Sequence, residues 1–257
     1  MFKHINDKKL DVIAISMRRR PKNLRNWQRA FRQVQVMNAV VGKKVDITDT
    51  KIINPLVRFQ INDISKNDTI YSVPSVGAIG CYLSHMECMK RCVERQRPLV
   101  VIEEDVVFSD DAIKHLARVC RRIPIDCDFL SLMYIRQGHL EPHNVEFGKI
   151  CGELNGTQCY LVFPRAAQIF LDNCFPITTQ VDLFLGIIIK LNPDITGYAL
   201  NKRLYSYTSI LLDNLSTSIQ TFALKKYLPS GNTFYYITIL LWFALSIFVC
   251  IGRKTYD

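Results

Sequence analysis

The segment from Gly80 to Asp105 constrains the fold more than any other part of the chain. It reads GCYLSHMECMKRCVERQRPLVVIEED: an amphipathic stretch, a break at Pro98, an apolar β-branched run and three consecutive acids. A short apolar run bounded by proline and by charge predicts a buried strand of a parallel sheet. Glu103, Glu104 and Asp105 then follow at its carboxyl end, where open α/β sheets bind ligands. The alternative is a solvated acidic turn.

Segments typical of strands and of helices alternate along most of the chain. This alternation predicts an α/β fold with a mostly parallel central sheet flanked by helices. The segment 181–189 is apolar enough to be a helix or a strand, whereas 43–76 and 137–155 carry loop signals. The other predicted elements are strands at 11–16, 34–41, 98–102, 129–133 and 158–163, and helices at 21–34, 80–95, 110–122 and 164–173.

Residues 234–251 form an apolar run, FYYITILLWFALSIFVCI, without a charged side chain. At about 1.5 Å per residue, a helix of this length spans about 27 Å, close to the hydrocarbon core of a bilayer. The run therefore predicts one carboxyl-terminal transmembrane helix, with a buried core helix as the alternative. The predicted organisation is a domain over 1–215, a linker over 216–233, this anchor and a short tail over 252–257.

No amino-terminal targeting segment accompanies the predicted single-pass anchor, so the domain is expected on the cytosolic side. Nine cysteines would then be free thiols in a reducing compartment. Basic residues flank the apolar run on both sides, and this balance leaves a lumenal placement open.

The formal net charge of +10 is concentrated in a basic run between Arg18 and Arg32. Such a run could hold a nucleotide's phosphates, face an anionic membrane surface or simply be solvated. No helix-turn-helix, zinc-finger or stacking-aromatic pattern accompanies it, so a specific nucleic-acid partner is not expected.

Four residues of the amphipathic stretch superficially suggest zinc. Cys81, His85, Cys88 and Cys92 share one helical face, but the first and last are about 16 Å apart along a helix. Four ligands so distributed cannot converge on one tetrahedral ion, so the sequence predicts small core side chains here instead of a zinc site. P-loop, dinucleotide-binding and nucleophile-elbow motifs are also absent from the sequence.

The acidic triplet is the better candidate for a metal. Glu103, Glu104 and Asp105 offer the carboxylate oxygens that hard divalent cations prefer, and such a cation often bridges a substrate's phosphates. Arg19 or Arg20, near the end of the first strand, could then hold those phosphates.

These residues belong to a series of motifs by which the chain resembles glycosyltransferase family 25, which includes bacterial lipooligosaccharide and collagen galactosyltransferases. The resemblance covers roughly residues 11–215. An Ile-Asn-Leu-Asp-Arg-Arg-Pro motif is matched by Ile15 to Pro21, and an Ala-x-x-Gly motif by Ala39 and Gly42. A Gly-Cys-x-x-Ser-His motif is matched by Gly80, Cys81, Ser84 and His85, and a strand ending Glu-Asp-Asp by Ile102 to Asp105. Further along the chain, a Gly-Thr-x-x-Tyr motif is matched by Gly156, Thr157 and Tyr160, and a Val-Asp motif by Val181 and Asp182.

The resemblance implies a GT-A-type fold and a metal-dependent transfer of a hexose with inversion at the anomeric carbon. The implied donor is a nucleotide sugar, commonly UDP-galactose, and the implied cation is Mn²⁺ or Mg²⁺. The acceptor would be a hydroxyl of a glycan, glycolipid or protein. Metal binding is implied for Glu103, Glu104 and Asp105, and donor binding for the same acids with Arg19, Arg20 and Thr157.

Two further residues receive candidate roles in catalysis. An inverting transfer needs a general base for the acceptor hydroxyl, and Asp182, between apolar residues, is the candidate. The alternative for Asp182 is a helix-capping acid. His85 could contact the donor or the acceptor, or be a histidine packed within a helix.

Some positions depart from the family pattern. Glu104 and Arg18 stand where the family has aspartate, and Asn23 stands where it often has arginine. These departures leave open a second hypothesis, in which the chain is a catalytically inactive relative that acts as a membrane-tethered binding or scaffold protein.

Overall fold

The fold is that of a computed structural model, which describes residues 10–17, 21–62, 73, 75–132, 140–154 and 156–201. The predicted linker, anchor and tail lie outside the described residues, as do Arg18, Arg19 and Arg20. Within the ranges just given, none of the helices has the length and apolar character that a membrane crossing needs.

The strands of the described residues form one sheet of eight. Their order across the sheet is second, first, third, seventh, fourth, eighth, sixth, fifth. In chain order they are β1 Asp11–Ser16, β2 Gln35–Asn38, β3 Leu99–Glu103, β4 Phe129–Ser131, β5 Leu140–Pro142, β6 Phe147–Ile150, β7 Cys159–Val162 and β8 Gly197–Leu200.

The α/β class is confirmed, but the sheet is mixed, and the prediction of a mostly parallel sheet was wrong. β1 pairs in parallel with β2 and β3, and β4 pairs in parallel with β8. β7 lies antiparallel to both β3 and β4, and β6 lies antiparallel to β5 and β8. Parallel neighbours need a crossover, usually a helix. The described residues between β4 and β7 form the β5–β6 hairpin instead, so β7 enters the sheet in the opposite direction.

The described helices cover both faces of the sheet. Residues of α3, α5 and α6 pack with Leu99 and Val101 of β3, whereas residues of α1 and α4 pack with Val100 and Ile102. Because alternate residues of β3 face opposite layers, both sides of the strand must be apolar, as its sequence predicted. The helices are α1 Leu24–Ala30, α2 Pro55–Asn62, α3 Val76–Arg95, α4 Asp110–Cys120, α5 Pro164–Asn173 and α6 Val181–Leu191.

Two glycines allow α3 to lie directly against the chain that follows β2. A Cβ atom on Gly80 would lie 2.5 Å from the carbonyl oxygen of Val40, and one on Gly42 would lie 1.7 Å from that of Val76. Ser84 joins the same surfaces, since its hydroxyl donates to the Gly80 carbonyl at 2.7 Å and accepts from the Val40 amide at 2.8 Å. The Ala-x-x-Gly and Gly-Cys-x-x-Ser-His motifs are therefore the two sides of one close backbone contact.

Replacing Gly80 by alanine is expected to destabilise the fold by about 1–3 kcal/mol, because the added methyl group meets backbone atoms that cannot rotate away. Chemical denaturation of the purified protein measures this loss. Gly77→Ala is the matched control, since Gly77 lies half-buried in the first turn of the same helix and alanine raises helix propensity there. Equal stability of the two variants would contradict the close contact.

Candidate active site

Three predicted residues meet at the carboxyl end of β3. The hydroxyl of Thr157 donates to Oε1 of Glu103 at 2.7 Å, and Nε2 of His85 lies 3.3 Å from the same oxygen. The strand pairing places them there, because the Glu103 amide donates to the carbonyl of Gln158, the residue before β7. His85 reaches this point from α3, which packs on that face of the sheet. Glu103 is thus held by groups from two other elements.

His85 is fully buried, with 0% of its surface exposed. Its Nδ1 lies 2.9 Å from the hydroxyl of Tyr160, on β7. Its Nε2 has no hydrogen-bond partner among the described residues, because the approach to Glu103 does not have hydrogen-bond geometry. The imidazole is therefore packed inside the protein, with Nε2 facing the Glu103 carboxylate.

The environment of Glu103 favours its ionised form. Burial raises the pKa of this carboxyl, but the neighbouring His85 and the hydrogen bond from Thr157 outweigh that effect, so the pKa lies below its ordinary value. Glu103 is therefore a fixed negative charge at the end of the strand.

Glu104 turns away from Glu103, as expected for consecutive residues at a strand end. Its Oε2 accepts hydrogen bonds of 2.9 Å from the Ser16 hydroxyl and from the Met17 amide, at the end of β1. The carbonyl of Glu104 accepts from the side-chain amide of Asn23, at 2.9 Å. The carboxylates of Glu103 and Glu104 thus have different partners among the described residues.

Asp182 lies in the first turn of α6 and is held by two backbone amides. Its carboxylate oxygens accept from the Gly156 amide and from the Leu183 amide, each at 2.9 Å. Burial raises the pKa of Asp182 although both amides lower it, and the charge of Glu103 raises it further. Gly156 has φ of +102°, a conformation that favours glycine. Asp182 therefore stabilises the helix start and also lies within the electrostatic reach of Glu103.

The structure reveals a support for the acids that was not predicted. Asn26 of α1 makes two hydrogen bonds of 2.8 Å with the backbone of Phe108, one to its carbonyl and one from its amide. The indole N–H of Trp27 donates to the carbonyl of Val106 at 2.7 Å. These contacts hold the chain immediately after the acids. The signal in the sequence is the spacing of Asn23, Asn26 and Trp27, which are three and four residues apart and therefore share one helical face.

The donor atoms that converge here do not fit the manganese or magnesium site that the family resemblance implies. One ligand atom each from Cys81, His85 and Glu103 lie within 4.8 Å of one another. Mn²⁺ and Mg²⁺ prefer oxygen ligands, whereas this set offers one sulfur, one nitrogen and one carboxylate. The exclusion of a zinc site built from the four residues on α3 stays a prediction, but two of them, Cys81 and His85, meet Glu103 of another element.

Comparison with known proteins identifies the family. One solved structure, described as the crystal structure of A197 from STIV, aligns with a TM-score of 0.39 and 11% sequence identity over 75% of this chain and 81% of that chain. No curated protein matches the chain. The model of glycosyltransferase family 25, described as an LPS biosynthesis protein family, matches residues 11–185. Because this match covers more than half of the sequence and includes the residues around Glu103 and Asp182, the chain belongs to glycosyltransferase family 25.

Proposed function

We propose that the protein transfers a hexose from a nucleotide sugar, galactose from UDP-galactose, to an acceptor hydroxyl with inversion at the anomeric carbon. Family membership supports glycosyl transfer, and the resemblance supports this donor and this stereochemistry. The observation that carries the proposal is the meeting of Glu103, His85, Thr157 and Asp182 at one end of the sheet. Two carboxylates with pKa values shifted in opposite directions are typical of a site for acid–base chemistry.

Asp182 acts in this proposal as the general base. The acceptor oxygen forms its bond to the anomeric carbon while the bond from that carbon to the diphosphate oxygen breaks, and the acceptor's proton passes to the Asp182 carboxylate. A raised pKa favours this acceptance of a proton, since general bases work best with a pKa near the working pH. The two backbone amides fix the carboxylate's orientation, which keeps the reacting groups aligned.

The remaining predicted site residues bind the donor. Glu103 and Thr157 present a fixed charge and a hydroxyl at the end of β3, and Glu104 joins that strand to the end of β1. Arg19 and Arg20 follow β1 in the sequence, and we assign them to the negative charge of the diphosphate. Metal dependence is part of the proposal, although Cys81, His85 and Glu103 do not match the preference of manganese.

The proposed acceptor is a hydroxyl of a glycan, glycolipid or protein close to a membrane surface. The support is the charge-free apolar run 234–251, whose length suits a membrane anchor. An anchored domain would find its acceptor at the surface to which it is tethered.

Donor hydrolysis tests the proposal. The full chain in detergent micelles is incubated with a panel of nucleotide sugars, with and without a chelator, and release of the nucleoside diphosphate is measured. We expect slow release from one donor and its loss with the chelator. Glu103→Gln should lower the rate about tenfold or more, the factor that about 1.5 kcal/mol of one charged hydrogen bond is worth.

Glu141→Gln is the matched control, since it neutralises an exposed acid on β5. If no donor is cleaved and calorimetry detects no binding of UDP, the transferase proposal fails and the inactive-relative hypothesis replaces it.

A further inference from the structure

We infer that Cys81, His85 and Glu103 form a binding site for a thiophilic divalent cation of the zinc class, in preference to manganese. The inference deepens the proposed function, because it concerns the same site and names the ion that this site selects. It depends on how three side chains from two elements converge in the folded protein, which their sequence spacing does not reveal. Two ligands come from α3 and one from the end of β3, and their donor atoms lie within 4.8 Å of one another.

The spacing on α3 directs two ligands to one point. Cys81 and His85 are four residues apart, so both project from the same helical face toward the sheet. Glu103 meets them at the strand end, with Oε1 3.3 Å from Nε2 of His85. The close contact between Gly42 and Gly80 holds this part of α3 in place, one residue before Cys81.

The buried imidazole gives an independent reason for a cation. Nε2 of His85 is buried, has no hydrogen-bond partner within the part of the chain that the structure describes, and faces a carboxylate oxygen. A nitrogen lone pair and an anionic oxygen at this distance repel each other unless a proton or a cation lies between them. Either a proton on Nε2 or a metal ion can fill this role, and the 3.3 Å contact does not have the geometry of a well-formed hydrogen bond. A metal ion bound by Nε2 of His85 and Oε1 of Glu103 removes this repulsion and gives Nε2 a partner.

The partner of the other ring nitrogen agrees with this arrangement. Nδ1 of His85 lies 2.9 Å from the Tyr160 hydroxyl, and in the tautomer with its proton on Nδ1 the lone pair is on Nε2. Histidines that bind metals usually have such a partner behind them, which fixes the ring and its tautomer. Thr157 supports the carboxylate in the same way, by donating to Glu103 at 2.7 Å. Each of these two ligands therefore has a supporting group.

The chemistry of the ligands decides between ions. A thiolate and an imidazole suit zinc, whereas manganese and magnesium prefer oxygen. Zinc sites with three protein ligands usually keep a fourth position for water or a substrate atom. Burial, and after it the negative charges of Glu103, Asp182 and Asp105, raise the pKa of the Cys81 thiol, and the same charges attract a cation. As the metal–sulfur bond forms, the Cys81 thiol loses its proton to solvent, so uptake of one ion releases one proton.

Cobalt titration tests the inference directly, because Co²⁺ takes zinc sites and absorbs light. Full-length protein in detergent, freed of metals by a chelator, is titrated with Co²⁺. We expect one equivalent to produce a sulfur-to-cobalt charge-transfer band in the near ultraviolet, which Zn²⁺ removes and an equal concentration of Mn²⁺ does not. Cys81→Ser should abolish the band, whereas Cys120→Ser, which removes a thiol on α4, should retain it.

A second measurement guards against misfolded variants. Zn²⁺ should raise the melting temperature of the wild type and of Cys120→Ser but not that of Cys81→Ser, with circular dichroism confirming that each is folded. The affinity of Cys81→Ser should fall by more than the roughly 10- to 100-fold typical of losing a partner behind a ligand.

A missing charge-transfer band, its persistence in Cys81→Ser or displacement by Mn²⁺ would each overturn the inference. None of these readouts needs a sugar donor. A cobalt band without donor cleavage would thus refute the transferase alone, and donor cleavage without the band would refute the ion site alone.

Discussion

Replacing Asp182 by asparagine is expected to lower kcat by about 10²–10⁴, the factor that a positioned general base contributes. Asparagine keeps the size of the side chain and one oxygen acceptor for the amides of Gly156 and Leu183, but it cannot take a proton from the acceptor hydroxyl. Sugar transfer to an acceptor measures the effect, with circular dichroism as the test of folding. Asp172→Asn is the matched control, since Asp172 is an exposed acid at the end of α5.

The pH dependence gives the same role a second test. The base must be ionised to act, so the rate falls as the pH drops through the pKa of Asp182. Burial raises that pKa, so the acidic limb of the pH–rate profile should lie above the range of an ordinary aspartate. The asparagine variant should lack this limb. A variant with the wild-type kcat or an unchanged limb would show that Asp182 only stabilises the start of α6.

Trp27→Ala is expected to lower the free energy of unfolding by about 3–5 kcal/mol, the usual cost of deleting a buried aromatic side chain. Trp27 has 0% of its surface exposed, and its indole packs between α1 and the chain that follows β3. The substitution opens a cavity there and leaves the Val106 carbonyl without its 2.7 Å donor. Urea denaturation followed by circular dichroism measures the loss.

Trp27→Phe separates the two contributions of this side chain. Phenylalanine retains most of the packing but cannot donate to Val106, so we expect a smaller loss of about 1–3 kcal/mol, the cost of an unsatisfied buried acceptor. Donor hydrolysis by both variants should fall more than their folded fraction does, because the chain after Glu104 and Asp105 loses its support. Wild-type stability of Trp27→Ala would contradict the packing described for α1.

Elements with a strong local signal could be predicted from the sequence to the residue. The bounds of β1, Asp11–Ser16, are those of its apolar run, and α5, Pro164–Asn173, begins at a proline as many helices do. The structure resolves 181–189 as a helix, Val181–Leu191. Elements that depend on distant contacts were missed. In α2 the only buried residue is Val57, and the hairpin before β7 consists of short strands with polar residues.

Candidate site residues could be predicted from the sequence where the residue type and its immediate neighbours in the chain indicate the chemistry. Glu103 and Asp182 were predicted from their positions beside apolar runs, and they lie at the end of β3 and in the first turn of α6, within electrostatic reach of each other. The separation of Glu104 from Glu103 could have been predicted, since side chains alternate along a strand. The meeting of Cys81 with Glu103 could not, because it depends on how closely α3 approaches the sheet. The contacts of Gly42 and Gly80 set that approach. The periodic patterns that predict helices and strands do not reveal such contacts.

The position of β7 has a consequence for synthesis on the ribosome. β7 lies between β3 and β4 in the sheet but follows both in the chain. While residues before 159 emerge, the inner edges of β3 and β4 have backbone groups that only β7 will pair. Unpaired edges are sites of aggregation in nascent chains, so this protein is expected to need protection by chaperones until its seventh strand has left the exit tunnel. The same strand carries Tyr160, so the contact between its hydroxyl and Nδ1 of His85 forms only after β7 pairs with β3.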